Sequence, residues 1–119
     1  MKRPKIICFC GSTRFTVEMM VVRWEYEKAG HIVLTWNVLP DSYIEHHHKG
    51  QVKDGGLYKN IADAEGVKEQ MDELHKRKID LADEVLVINI GGYIGESTRS
   101  EIEYANKIGV HVKYLEVKG

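Results

Sequence analysis

Val85-Leu86-Val87-Ile88-Asn89-Ile90-Gly91-Gly92-Tyr93-Ile94-Gly95-Glu96-Ser97-Thr98-Arg99-Ser100-Glu101-Ile102-Glu103-Tyr104-Ala105 passes from an apolar run, through three glycines, into a helical pattern. The run 85–90 reads as a buried strand. The glycines loosen the backbone. The helical pattern continues to Ile108 and stops at Gly109. Strand, glycine-rich loop and helix in this order place a ligand at the carboxyl edge of an α/β sheet. At about 100° per residue, Ile102, Ala105 and Ile108 share one helix face. Glu101 falls in the middle of that face, in the first helical turn, and Glu103 falls opposite. Glu101 therefore has two readings. One is a capping box, Thr98-x-x-Glu101, with the carboxylate turned back to the helix start. The other is an inward functional carboxylate, its charge favoured by the helix N-terminus.

The same order of elements opens the chain. Residues 5–10 form an apolar run of the kind buried on both faces of a parallel sheet. Gly11-Ser12-Thr13-Arg14 follows, then a helix over 15–29 with Met19, Val22 and Tyr26 on one stripe and Phe15 and Met20 near it. Gly30 caps its end. Residues 32–36 read as the second strand and 65–82 as a helix with Met71, Leu74, His75, Ile79 and Ala82 facing inward. Residues 110–115 read as the last strand. With right-handed crossovers, the order βαβαβαβ gives a four-stranded parallel sheet, 2-1-3-4, with helices on both faces. This is a small doubly wound α/β fold of the flavodoxin or Rossmann kind, with residues 1–119 as one domain. Winding reverses between the first and third strands, and the loops 11–14 and 91–97 lie at that switch point.

Composition narrows the partners. The net charge is −1 and no basic block argues for polymeric nucleic acid or an anionic membrane. No apolar run approaches membrane-spanning length, and Lys2-Arg3-Pro4-Lys5 is too short for a signal peptide. Cys8 and Cys10 are expected on opposite faces of the first strand, unpaired; without further cysteines they make no zinc knuckle. Reduced thiols point to an intracellular, cytoplasmic protein. Residues 37–62 are the least regular part, with Pro40, His46-His47-His48, Gly50, Gly55 and Gly56. They are expected to form a lid or partner-contacting segment with a short helix. The histidine run lacks i, i+4 spacing and reads as exposed loop rather than metal site.

Two groups carry candidate chemistry besides Glu101. In the first loop Gly11 allows a tight turn, Ser12 and Thr13 offer hydroxyl and N–H groups, and Arg14 offers a fork to a phosphate at the helix start. The alternative is an N-capped helix with a solvated arginine. The loop is neither a Walker loop nor G-x-G-x-x-G. His75 is either a satisfied core histidine or a proton-transfer group, with Asp72 one turn earlier to orient it. Asp80 and Asp83 read as surface or capping groups. No metal or cofactor is expected.

Together these residues resemble the nucleoside 2-deoxyribosyltransferase family, most nearly its 2′-deoxynucleoside 5′-monophosphate N-glycosidase branch. Phe9-Cys10-Gly11-Ser12-Thr13-Arg14 looks like that branch's first-strand F-C-G-S-x-R. Leu81-Ala82-Asp83-Glu84-Val85 looks like the A-D lead-in to the third strand. Glu101-Ile102-Glu103-Tyr104-Ala105 falls where the family has E-h-G-x-A, headed by its catalytic glutamate. The resemblance implies Glu101 as nucleophile on the anomeric carbon and Ser12 and Arg14 on the 5′-phosphate, with Gly11 admitting it. Thr13, Gly92, Tyr93, Gly95, Glu96 and Ser97 would line the site, and His75 or Asp72 would donate a proton. Cys8 stands where the family has a tyrosine, His75 where it has a sugar-contacting aspartate, and Gly95 where it has an aspartate or serine. The implied protein is a homodimer or larger, acts on a small nucleoside or nucleotide, and needs no cofactor. The alternative is a non-catalytic nucleotide-binding domain of the same fold.

Overall fold

The computed structural model describes residues 3–48, 62 and 65–116. β1 (Ile6–Gly11) pairs in parallel with β2 (Ile32–Leu34) on one side and β3 (Glu84–Ile88) on the other. β4 (His111–Tyr114) pairs in parallel with β3, so the order is 2-1-3-4, as expected. The register sets Phe9 beside Leu86, and Cys8 and Cys10 beside Val85 and Val87. Side chains alternate across a strand, so two cores form. Ile7, Phe9, Leu86 and Ile88 pack with Phe15, Met19 and Val33 under α1 (Thr16–Lys28). Cys8, Cys10, Val85 and Val87 pack with Ile79, Ile102 and Ala105 from two other helices.

Those two helices are α3 (Lys68–Leu81) and α4 (Glu96–Lys107). A short α2 (Asp41–His47) carries the buried Ile44. The histidine run is therefore helical rather than loop up to His47, and His48 reaches Glu65 across 2.5 Å. The glycines expected in that segment, Gly50, Gly55 and Gly56, lie outside the described residues.

The amino edge of the sheet is closed by charge pairs. Asp83 accepts from Ile6 N at 2.8 Å and pairs with Arg3, which holds the start of β1. Buried Glu84 pairs with Lys5 and Lys113. At the carboxyl edge, Asn89 binds the Glu116 backbone through both amide atoms, at 3.1 and 2.9 Å.

Some helix faces differ from expectation. Leu74 is 44% exposed, and Ile108, which caps α4 beyond its last turn, is 42% exposed. Met20 also points out, because α1 is apolar on two sides. Its outer stripe, Val17, Met20, Val21 and Trp24, is exposed, with Trp24 at 60%. No described helix is long and apolar enough to cross a membrane.

Candidate active site

The carboxyl end of β1 runs straight into the first loop. Gly11 is the last residue of β1, and a Cβ there would lie 3.0 Å from Ile88 O and 3.1 Å from the Trp36 ring. Only glycine lets β1 and β3 stay this close. Ser12 caps the short 3-10 turn Thr13–Phe15 by accepting from Arg14 N at 3.2 Å. Arg14 then lays its guanidinium over the Tyr93 ring, 3.9 Å from its centre. The two glycine-bearing loops thus meet at the switch point. Stacking on Tyr93 leaves the edge of the guanidinium for an anion.

The second loop begins with a 3-10 turn, Ile90–Gly92, in which Gly91 and Gly92 take φ of 65° and 81°. Gly95 caps α4 through its backbone, and helix begins at Glu96. Thr98 is already inside the helix and buried, so it caps nothing. The capping-box reading fails for this reason, and Glu101 lies in the second turn rather than the first. Glu96 is exposed in the first turn, and Ser97 accepts from Lys68 Nζ at 3.3 Å.

Glu101 is only 9% exposed, and its Oε1 lies 4.0 Å from His75 Nε2. It also lies near Cys10, the residue before Gly11, whose thiol favours the charged carboxylate. His75 Nε2 in turn lies 3.0 Å from Phe9 O, 3.6 Å from Cys8 Sγ and 3.5 Å from Cys10 Sγ. Cys8 and Cys10 therefore face the same way, against expectation. Strand side chains repeat every two residues, so positions i and i+2 share a face. Asp72 does not orient His75; it pairs with Lys68 at 3.0 Å.

These groups shift one another. Burial pushes the Glu101 carboxyl up to about 6, with the His75 charge pulling the other way. Burial opposes the charging of His75, but a hydrogen bond to Cys8 and the Glu101 carboxylate outweigh it, and its pKa rises. A hydrogen bond from Cys10 draws the Cys8 thiol down to about 6, against burial. The same bond pushes Cys10 up. The two thiols are thus pushed in opposite directions. The chemistry available is a buried carboxylate, its pKa raised to about 6, beside an imidazole whose pKa is also raised.

Of the residues the sequence pointed to, Glu101 lies 4.0 Å from His75 on the Cys8–Cys10 face of β1, and Arg14 stacks on Tyr93 beyond Gly11, where β1 ends. The sequence missed Lys68, which ties α3 to the start of α4, and it missed Cys8 and Cys10 as neighbours of His75. The two-residue period of β1 was the signal for the cysteines. Comparisons with family models, with curated proteins and with solved structures give no match for this chain.

Proposed function

We propose that this protein cleaves the N-glycosidic bond of a small nucleoside or nucleoside 5′-monophosphate, as a hydrolase or by transfer of the sugar. The observation that carries this reading is the place of Glu101: buried, turned away from its own helix start, and set against His75 and Cys10 next to the Gly11–Ser12 turn. A capping glutamate turned to solvent would have favoured a plain nucleotide-binding domain.

In the proposed reaction a Glu101 oxygen attacks the anomeric carbon as the bond to the base breaks. The base leaves with the bonding electron pair and takes a proton. His75, 4.0 Å from the nucleophile, is the proposed donor, and its raised pKa favours the protonated form. Water, or a second base in a transferase, then displaces Glu101 from the sugar and returns a proton to the imidazole. Arg14 and Ser12 hold the 5′-phosphate at the loop. Gly92, Tyr93, Gly95, Glu96 and Ser97 line the approach, and Thr13 supports the turn.

The outer stripe of α1 supports a homodimer or larger assembly, since an apolar strip of this kind is a common interface. A cytoplasmic setting suits two free cysteines. The test is a screen of nucleosides and their 5′-monophosphates for release of free base. Release from at least one of them is expected; no release from any would remove the catalytic reading.

A further inference from the structure

We propose that Cys8, Cys10 and His75 form a binding site for a tetrahedral, thiolate-seeking divalent cation of the Zn2+ class, with Glu101 as fourth ligand. The proposal does not rest on the glycosidase reading.

Three ligand atoms are already in place. Cys8 Sγ and Cys10 Sγ lie 3.6 and 3.5 Å from His75 Nε2. All three lie within 4.8 Å of one another. A tetrahedral zinc ion with Zn–S of about 2.3 Å and Zn–N of about 2.0–2.1 Å needs S···N edges of about 3.6 Å. The two observed edges already have that length. Glu101 Oε1 is 4.0 Å from Nε2. A bound carboxylate oxygen would stand at about 3.3 Å, so the Glu101 carboxylate moves closer to Nε2 when it binds.

The electron count at Nε2 points the same way. Phe9 O, both sulfurs and Glu101 Oε1 all lie within 4.0 Å of this nitrogen. Nε2 has at most one proton to share among them. A cation among the sulfurs, Nε2 and the carboxylate would satisfy three of those four electron-rich atoms at once. Both sulfurs bind as thiolates, so any thiol protons leave to solvent. Nε2 binds through its lone pair, so any proton there also leaves to solvent, the neutral imidazole carries its one proton on Nδ1, and its contact with Phe9 O is given up.

Softness selects the ion. Two thiolates and an imidazole favour zinc over magnesium or calcium. The scaffold is stiff, because both cysteines sit on the central strand and His75 lies inside α3. Bound metal would occupy His75 and Glu101, so metal occupancy and base release would be alternative states of one pocket.

The experiment titrates Co2+ into reduced, chelator-treated full-length protein and follows absorbance. One equivalent is expected to give sulfur-to-cobalt charge-transfer absorption and the intense visible bands of tetrahedral cobalt, and Zn2+ is expected to bleach both. The chain has two cysteines, so the charge-transfer band alone identifies them as ligands, even where a cysteine variant fails to fold. Cys8→Ala and Cys10→Ala, where folded by circular dichroism, are expected to weaken binding at least about tenfold. The variant His46→Ala/His47→Ala/His48→Ala is expected to keep the bands. Absence of a charge-transfer band in the parent overturns the proposal, as does loss of the bands in the triple-histidine variant. No step of this assay depends on base release, so a negative result here leaves the glycosidase reading standing, and the reverse also holds.

Discussion

Replacing Glu101 with glutamine is expected to make the protein more stable at neutral pH. The carboxyl is 9% exposed, and burial raises its pKa from 4.5 to about 6. The folded pKa lies above the unfolded one. This group's favourable contribution is therefore complete below the unfolded value and is lost as pH rises through about 6. At about 1.36 kcal/mol per unit, holding the charge in the fold costs about 2 kcal/mol at pH 7 and roughly half of that or less by pH 5. Glutamine keeps the shape and carries no charge, so Glu101→Gln should recover most of this. For a chain of this size that is about 5–10 °C in melting temperature. The assay is thermal and urea unfolding of parent and variant at pH 7 and pH 5, with reductant and chelator present. The gap between them should widen from pH 5 to pH 7. A capping glutamate would give the opposite sign, a loss of roughly 1 kcal/mol. A variant that melts at or below the parent at pH 7, or a gap that ignores pH, would refute the reasoning.

Gly11→Ala should destabilise the fold by about 1–3 kcal/mol, because the new methyl meets Ile88 O at 3.0 Å and the Trp36 ring at 3.1 Å; a urea midpoint equal to the parent's would show that the strands can yield. Arg14→Ala should weaken a nucleoside 5′-monophosphate by tenfold or more, at about 1.5–3 kcal/mol for a hydrogen bond to a charged group, while barely affecting the matching nucleoside. Calorimetric titration of both ligands checks this, and equal losses would mean that Arg14 does not read the phosphate. Trp24→Glu places a charge in the outer stripe of α1 and should shift light-scattering mass toward the monomer; an unchanged oligomer would move the interface elsewhere.

How far the sequence carried differs between fold and site. The sheet order followed from the number of elements and the handedness of crossovers, which side-chain detail does not alter. The inward face of α4 followed from periodicity, and Ile102, Ala105 and Glu101 are all buried. Ile108 escaped that rule because the helix had already ended, so helical spacing no longer governed it. Leu74 and His75 are consecutive on α3, and only one of two neighbours 100° apart can sit at the centre of the buried face; the histidine took it. The start of α4 was misread because Thr98 has the right chemistry for a cap, yet Gly95 makes the turn with backbone alone. The meeting of His75 with Cys8 and Cys10 joins residues more than sixty positions apart, and only the register of β1 under α3 brings it about.

The most direct test of the central claim compares base release by Glu101→Ala and Glu103→Ala with that of the parent, on a substrate found in the nucleoside and nucleotide screen. Glu101 faces His75, whereas Glu103 is exposed on the far side of α4. Glu101→Ala should abolish turnover while leaving the fold and nucleotide binding largely intact, because the lost group forms a bond only in the reaction. Glu103→Ala should be nearly silent. Parental turnover in Glu101→Ala would contradict the assignment of the nucleophile.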